Sequence, residues 1–474
     1  MNKSTKVRFF GAVLAGCAVA LAASGSVAGG GTMQELLKVL KEQGTISQEA
    51  YDKLSDAAKE EAEKAQDKVS KVAKEEAEKT AKSQLPEFNK KGKLEFVSPD
   101  EKFSFEVFGR LQTDAAWYWD DDNTHLDSSA EFRRARLGIG GTLWDYWIWK
   151  FETDFTEDRV SIKDAYIRNT YLNPFAIQVG NFKEPFSLEQ LTSSRFITFM
   201  ERSINDDMVP ERNLGAMVQY IGPSWTASGG VFGEGIDNVS ETLRTSNGGE
   251  GIGATGRITV APILAEDRLL HLGGAISWRK PDEPDSNAAD DLRIRARPES
   301  HVTDVRLVDT GTIAGVEHSL RYGAEAAFAW GPWSLQGEYI YFDIDRQTGA
   351  DPNFDGWYFY GSWFLTGESR AAAYKVDKGG VFDRIKPLRP WHAPDLGGRW
   401  GAFELAARYS TIDLTDAGIN GGEEDNFTAA LNWYPNANLR LMLNYIRVLD
   451  VERPGNAFDG AEPDLVQIRA QVDW

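Results

Sequence analysis

From Phe103 to the end of the chain, apolar and polar side chains alternate in one segment after another, and this period of two constrains the fold more than any other feature. The final stretch, Pro463 to Trp474, shows the pattern most clearly and ends on an aromatic residue. Side chains on a strand point alternately to its two sides, so Ile468 belongs to an apolar face and Arg469 to a polar one. The pattern predicts strands with one face in an apolar medium and the other in water.

The alternation predicts about sixteen strands, an even number, as single-chain bacterial transmembrane barrels require. The predicted strands are 103–119, 131–142, 146–156, 159–172, 175–184, 213–222, 225–233, 251–261, 268–280, 316–330, 333–346, 353–366, 398–413, 424–434, 438–450 and 461–474. We therefore expect an all-β transmembrane barrel of about sixteen antiparallel strands over 103–474, preceded by an α-helical, coiled-coil extension.

The connections between these strands alternate between tight turns and long polar segments, as in outer-membrane barrels with short periplasmic turns and long external loops. The predicted tight turns are 143–145, 173–174, 222–224, 331–332 and 435–438, and the predicted long segments are 120–131, 185–212, 234–250, 281–315 and 414–423. One connection, 367–397, is long and relatively basic although its place in the order predicts a short turn; it carries Lys378 and Lys386. A strand missed near 371–376 would be one explanation.

The first 28 residues have the pattern of a secretory signal peptide, with three basic residues, an apolar run over 9–23 and small residues before a cleavage point after Ala28. A second interpretation stays open, because Leu14 to Cys17 fits a lipoprotein processing box. Cys17 is the only cysteine of the chain, so cleavage after Ala28 would exclude disulfides and thiol chemistry.

Residues 29–85 are predicted to be helical and 86–102 to form a linker. Gly44 should end a first short helix and Ser47 should cap a long second one that continues to about Ser83. A small-residue seam with heptad-like spacing runs along the long helix: Ala58, Ala62, Ala65, Val69 and Val72. The seam is compatible with a periplasmic coiled coil of three chains, and equally with a single solvated helix.

Charge and motifs argue against several classes of function. A formal net charge of −20 disfavours nucleic acid as a partner. The five histidines are scattered without metal-ligand spacing, and neither a nucleophile elbow nor a phosphate-binding glycine loop occurs. We therefore expect no enzyme activity, no cofactor and no metal site.

Arginines on the polar faces of the predicted strands are the candidate functional residues. If Leu137 and Ile139 face lipid, Arg134 and Arg136 face the lumen. The same reasoning points to Arg110, Arg279, Arg408, Arg440 and Arg469. A guanidinium fork suits oxyanions. The alternative is a mixed-charge wall, in which these arginines pair with inward carboxylates: Glu106, Asp114, Glu338, Glu404 and Asp473.

Several motifs resemble the phosphate- and polyphosphate-selective outer-membrane porin family: F-R-R-A-R-L-G-I-G-G (132–141), K-D-A-Y-I-R (163–168), V-G-N-F-K-E-P-F-S-L-E (179–189), N-L-G-A-M-V-Q-Y (213–220), F-L-T-G-E (364–368) and N-W-Y-P-N (432–436). The resemblance covers roughly 103–474 and implies a trimeric porin whose loops fold inward to narrow each channel. It implies that Arg134 and Arg136 belong to a wall motif, that Lys183 and Arg195 lie in or beside the constriction loop, and that 367–397 is an inward-folded periplasmic connection.

These observations predict an outer-membrane porin for passive diffusion of small hydrophilic anions, with phosphate or polyphosphate as the first substrate. The expected partners are two further copies of the chain, lipopolysaccharide and the barrel assembly machinery, which would recognise Trp474. Two alternatives stay open. One is a general porin of mixed charge, and the other is a barrel-anchored tether whose helical segment binds peptidoglycan.

Overall fold

The structure is a computed structural model that describes residues 33–83, 87–88, 94–98, 100–119, 124, 126–156, 159–233, 235–236, 251–281, 292–391 and 400–474. The predicted signal peptide lies outside these residues. Two units are present, a helical one at the amino-terminal end and a β-sheet one that contains the rest.

The helical unit contains a first helix over 33–42 and a second over Gln48–Ser83. Gly44 adopts a positive φ of 70° just after the first helix, and the Ser47 hydroxyl accepts a hydrogen bond from the Ala50 N–H at 3.2 Å. Both features confirm the predicted helix end and cap. The second helix is solvated along most of its described length, and its Val69 and Val72 side chains are exposed. No described helix combines the length and the apolar composition needed to cross a membrane.

In the part of the chain that the structure describes, sixteen antiparallel strands form the wall of a closed barrel. In chain order they are β1 Phe103–Trp119, β2 Ser129–Leu143, β3 Trp147–Asp154, β4 Ser161–Asn169, β5 Phe175–Lys183, β6 Arg212–Ile221, β7 Trp225–Phe232, β8 Ile252–Leu264, β9 Arg268–Lys280, β10 Val316–Trp330, β11 Trp333–Arg346, β12 Asn353–Phe364, β13 Ala402–Asp416, β14 Ile419–Tyr434, β15 Leu439–Glu452 and β16 Asp464–Asp473. Each pairs with its neighbours in sequence, and β16 pairs with β1. Closure leaves no unpaired edge in the lipid.

The seam between β16 and β1 runs from Asp464 opposite Trp119 to Asp473 opposite Arg110. At its end the Trp474 N–H donates to the Gly109 carbonyl and the Gly109 N–H donates to the Trp474 carbonyl, both at 3.2 Å. A Cβ on residue 109 would lie 2.4 Å from the indole ring, so a glycine is required where the aromatic covers the seam. That Trp474 is the signal for assembly stays a prediction.

The sixteen strands and the predicted tight turns are confirmed, but one predicted loop is wrong. Segment 414–423 is no long loop: β13 continues to Asp416 and β14 begins at Ile419. Ala417 and Gly418 both have positive φ, 51° and 84°, which makes the two-residue hairpin turn that matches the twist of the flanking strands. The polar residues there belong to the strands themselves.

The outer face of the barrel is apolar and carries aromatic residues at the end that has the tight turns, as expected where a wall meets the lipid–water boundary. Trp147, Phe175 and Trp225 open their strands there and are exposed. Trp333 stacks on Trp363 with ring centroids 4.7 Å apart and an interplanar angle of 9°. We call this the short-turn end and the opposite one the long-loop end.

Three connections fold into the barrel, and we name them loop A (184–211), loop B (292–315) and loop C (365–391). Loop A contacts β2 and β16 through Glu201 and β13 through Glu189, so it crosses the lumen from one wall to another. Loop C contains a short 3-10 helix, Arg370–Ala373, and pairs Tyr374–Lys375 with Val381–Phe382; none of its described residues forms a wall strand. Loop C is therefore one long connection at the short-turn end and an exception to the alternation of long and short connections. No strand had been missed within 371–376.

The hydrophobic core of the unit lies between these loops and one side of the wall, rather than in the middle of a sandwich. Phe186, Ile204 and Met208 of loop A pack with Phe342 of β11 and Phe354 of β12 in one buried cluster. A second cluster joins loop C to β8, β9 and β10. Buried apolar area stabilises the inward position of both loops, by roughly 25 cal/mol for each Å² removed from water.

Candidate functional site

A polar cavity of about 360 Å³ lies inside the barrel between loop A, loop B and the wall strands β1 to β6. Fourteen arginine and lysine side chains line it against six aspartate and glutamate side chains, an excess of eight positive charges in a chain whose net charge is −20. The negative charges of the chain are therefore concentrated elsewhere. A passage with this lining raises the local concentration of anions.

Glu201 of loop A is the meeting point of three arginines. Its carboxylate accepts from Arg133 at 2.9 and 3.0 Å, from Arg134 at 3.4 Å and from Arg469 at 2.6 Å. Arg469 also donates to Asp114 at 2.7 and 2.6 Å, so the network spans the β16–β1 seam. Burial opposes ionisation, but the three guanidiniums outweigh it and hold the pKa of Glu201 well below its usual range. The network holds loop A against the wall.

The other side of loop A is held by Arg408 of β13. Arg408 donates to Glu189 of loop A at 3.3 Å and to Glu299 of loop B, and its guanidinium lies 4.3 Å from the centroid of the Phe199 ring. Glu299 also accepts from the Ser410 hydroxyl at 2.5 Å. Arg408 is only 1% exposed, so its donors serve the two loops. Such buried pairs set the position of a loop more than they add stability.

The wall arginines nearest the cavity are also paired. Arg110 donates to Glu152 at 3.0 Å and to the Ser194 hydroxyl of loop A at 2.7 Å. Arg136 lies between Glu152, at 3.3 Å, and Asp154, at 2.6 Å. This part of the wall therefore has the mixed-charge character of the alternative interpretation.

Two cations on the cavity wall, Lys183 and Arg195, have no carboxylate within ion-pair distance among the described residues. The Lys183 ammonium donates to the Gln190 carbonyl of loop A. The Arg195 guanidinium lies 5.0 Å from the centroid of the Phe196 ring, and its Nε donates to the Ser193 hydroxyl at 3.3 Å. Neither donor group is occupied by a carboxylate, so both can offer hydrogen bonds to an anion in the cavity.

The structure brings five of the predicted pore-lining residues together around the cavity: Arg110, Arg134, Arg136, Lys183 and Arg195. Of the described residues, Arg408, Lys378 and Lys386 do not line it. Arg408 holds the loops, and Lys378 and Lys386 are exposed on loop C, where Lys378 pairs with Asp383 at 2.6 Å. That the five bind anions stays a prediction.

Sequence reasoning did not single out nine of the cations that line the cavity. Lys150 lies on the polar face of β3, so the alternation that identified Arg136 could have found it. Lys163 lies at a register shift of β4, where the alternation breaks. Loop segments show no comparable period. The nine are Arg133, Lys150, Arg159, Lys163, Arg202, Arg212, Arg295, Arg297 and Arg306.

Asp206 of loop A makes the cavity sensitive to pH. Burial, together with Glu189, Glu211 and Asp207, raises its pKa to about 8, although Arg202 at 3.8 Å acts in the opposite direction. The carboxyl is therefore mostly neutral at pH 7 and ionises as the pH rises through 8. A unit charge about 7 Å away in water changes the energy of an ion by about 0.6 kcal/mol, or about threefold in permeability.

We therefore expect the preference for anions to fall by about threefold between pH 7 and pH 9. Zero-current potentials in a salt gradient, measured across that range, check the change. Asp206→Asn should remove it. The same pH dependence in Asp206→Asn would assign the titration to another group.

Among the described residues, no group of three or more His, Cys, Asp and Glu side chains is arranged to hold a metal ion. The charged groups that line the cavity are mainly guanidinium and ammonium donors. Such donors bind anions weakly and reversibly.

Loop C closes part of the lumen at the short-turn end. Arg257 of β8 donates to the Gly379 carbonyl at 2.6 Å and pairs with Glu325 at 2.5 Å. His271 of β9 lies 2.7 Å from the Tyr374 hydroxyl. These contacts fix the middle of loop C inside the barrel.

Comparison with known proteins identifies the family. The family described as "Phosphate-selective porin O and P" matches residues 105–474. An uncharacterised protein of Caulobacter vibrioides is 35% identical over 368 residues, 76% of this chain and 71% of its own length. Porin O of Pseudomonas aeruginosa is 29% identical over 397 residues, 75% of this chain and 85% of its own length.

Among solved structures, the anion-selective porin from Comamonas acidovorans aligns with a TM-score of 0.49 and 13% identity, covering 78% of this chain and all of that one. An outer membrane protein of Vibrio cholerae, OmpT, aligns with a TM-score of 0.47 and 11% identity, covering 80% of this chain and 99% of that one. The family match covers the whole barrel, from the second residue after the start of β1 to Trp474. The chain belongs to the family of phosphate-selective porins O and P.

Proposed function

We propose that this outer-membrane porin conducts small hydrophilic anions by passive diffusion, and that phosphate or polyphosphate is the preferred substrate. The observation that carries the proposal is the cavity lining, in which Lys183 and Arg195 have no carboxylate within ion-pair distance among the described residues. An oxyanion can accept from a guanidinium fork and an ammonium group together. Passive diffusion through such a cavity, with weak binding on the way, requires no energy source.

The family to which the chain belongs supports phosphate, since its description names that selectivity. The cavity of about 360 Å³ has room for a phosphate and several of its waters. Partial replacement of the hydration shell by charged donors favours entry, while the remaining water permits release. Arg110, Arg134 and Arg136 would then strengthen the field, with their positions fixed by Glu152, Asp154 and Glu201.

The test is the zero-current potential of the purified protein in a planar bilayer under a salt gradient, with phosphate titrated against the chloride conductance. We expect preference for anions and saturable block by phosphate. Preference for anions without block would limit the proposal to a general anion channel. Preference for cations would overturn it.

A general porin of mixed charge is the second candidate, because most wall arginines of the site are engaged by carboxylates. Arg110, Arg136 and Arg134 each have a carboxylate within 3.4 Å. In that case the paired charges form a transverse field, and the pore discriminates by size more than by sign. Weak selectivity and the absence of phosphate block would favour this candidate.

We also propose the orientation and the assembly. The short-turn end faces the periplasm and the long-loop end faces outward, where lipopolysaccharide surrounds the rim. The helical segment lies in the periplasm, and three copies associate there through the exposed seam that includes Val69 and Val72. A barrel that is only anchored, with residues 33–83 binding peptidoglycan, is the remaining alternative.

Deletion of residues 33–83 separates these roles. The barrel contains the whole cavity, so the truncated protein should conduct with unchanged ion preference. If the helices join three chains, the truncated trimer should dissociate at a lower temperature, as gel electrophoresis at increasing temperature would show. Normal conduction with a loss of envelope integrity in cells would instead favour the tether. Loss of conduction by a truncated barrel that still inserts would contradict the proposal that the barrel conducts without the helices.

A further inference from the structure

A second, much smaller cavity lies between the large one and the short-turn end. Its volume is about 10 Å³, and its lining includes Arg195, Phe196, Arg384, Arg440 and Asp473. Ala437 and Asn438 also line it, and both belong to the turn that ends the barrel wall between β14 and β15. Arg195 lines both cavities, so it connects them. This volume has room for about one water molecule, which is too small for an oxyanion to pass.

Arg384 of loop C occupies the narrow place. Its guanidinium donates to the Asp473 carboxylate of β16 and to the Ala437 carbonyl. It also lies 5.2 Å from the centroid of the Phe196 ring, whose other cation is Arg195 at 5.0 Å. Two guanidiniums therefore flank one aromatic ring, and in the described part of the chain only Arg384 has a carboxylate.

The two cations repel each other across Phe196. Burial and the Arg195 charge lower the pKa of Arg384 to about 10, while Asp383 acts in the opposite direction. An anion placed beside Arg195 would reduce this repulsion, because its negative charge would offset the positive charge of the two guanidiniums. The Asp473 carboxylate already shows that the Arg384 donors can bind an oxyanion group.

We propose that Arg384 is a second anion contact on the permeation route, at its exit on the short-turn side. An oxyanion that reaches Arg195 competes with Asp473 for the Arg384 guanidinium. When Arg384 turns to the anion, its bonds to Asp473 and Ala437 break and the narrow place widens. Arg384 thus determines specificity at the exit, since an anion with several oxygens replaces the carboxylate better than a halide does.

This inference rests on the proposed conduction of anions. It is supported by the accessibility of Arg384, whose side chain is 22% exposed and projects from a connection rather than from a wall strand. Arg440, by contrast, is 2% exposed and is held by the Ile197 and Thr198 carbonyls at 2.6 and 2.8 Å. Of the three arginines that line the small cavity, Arg384 is the one whose bond to a carboxylate an incoming anion can replace.

Single-channel conductance in phosphate and in chloride tests the proposal with two variants. Asp473→Asn keeps the Arg384 cation but removes the negative charge of its partner. Phosphate conductance should therefore rise by about fivefold, the factor for ~1 kcal/mol of lost pairing. Chloride conductance should rise less. Arg384→Gln should raise the conductance in phosphate and in chloride, and should remove the selectivity between these two anions at the exit. The matched control is Lys386→Gln, which removes an exposed charge of the same loop and should behave as the natural chain.

If Asp473→Asn does not insert, Arg384→Gln decides alone, because it leaves the terminal strand unchanged. If the natural channel prefers anions while the variants that insert show unaltered conductances, this result would overturn the role of Arg384. A natural channel without anion preference would overturn the proposed function itself. The two failures are therefore distinguishable in one set of recordings.

Discussion

Replacing Lys183 and Arg195 together with glutamate should lower the anion-to-cation permeability ratio by about tenfold and abolish block by phosphate. Each replacement changes the charge at the cavity wall by two units. At about 7 Å in water a two-unit change is about 1.2 kcal/mol before screening, and salt reduces the sum for two sites to about 1.4 kcal/mol, a factor of ten. Zero-current potentials measure the ratio directly.

The effect should be large because neither of these cavity cations has a carboxylate within ion-pair distance among the described residues. The neutral pair of replacements, Lys183→Gln with Arg195→Gln, should give about half the change in free energy. Lys378→Glu with Lys386→Glu is the matched control, since it makes the same change of charge on the exposed side of loop C. An equal effect in the control would mean that the field of the whole mouth, rather than these two residues, sets the preference.

Replacing Arg469 with methionine should lower the free energy of unfolding by about 3 to 5 kcal/mol, the cost of removing one partner from a buried ion network. The Arg469 side chain is fully buried and donates to Asp114, to Glu201 and to the Met200 carbonyl. Methionine fills similar space but leaves Asp114 without its partner at the β16–β1 seam. Equilibrium unfolding of the protein in micelles measures the loss.

Arg447→Met is the control for this prediction. Arg447 lies on the neighbouring strand β15 and pairs with Glu462 and Asp464 at 2.7 and 2.6 Å, but its side chain is 35% exposed, so its loss should cost about 1 kcal/mol or less. Adding Asp114→Asn to Arg469→Met should restore part of the stability, because the stranded charge disappears. A loss below about 1 kcal/mol in Arg469→Met would show that water reaches the network and screens it.

The wall of the barrel could be predicted from the sequence because lipid and water act on alternate residues of every strand. The same alternation places Arg110, Arg134 and Arg136 on the inner face, where the cavity lies. It fails where the outward face of a strand is polar rather than apolar, as at Asp413 and Thr415, and for that reason the strands on either side of the Ala417–Gly418 turn were taken for a loop.

What some of the arginines do inside the barrel could not be predicted, because some of their partners come from distant loops without any period. Arg408 pairs with Glu189, 219 positions away, and with Glu299, 109 positions away. A polar face shows that a side chain points inward, but not whether a carboxylate already occupies its donors. Loop C posed the same difficulty: its basic composition was evident, yet only Arg384 among its cations reaches the small cavity.

The bonds of Arg469 also restrict the order in which the molecule can fold. One guanidinium joins Asp114, 355 positions away across the seam, and Glu201, 268 positions away in loop A. Each of these contacts closes a very long stretch of chain, and such closures are slow because their entropy is lost before any contact is gained. Once β16 reaches β1, the same side chain can bind both partners. We therefore expect docking of loop A and closure of the cylinder to occur as one late, cooperative step, with the inner loop still loose on any open precursor.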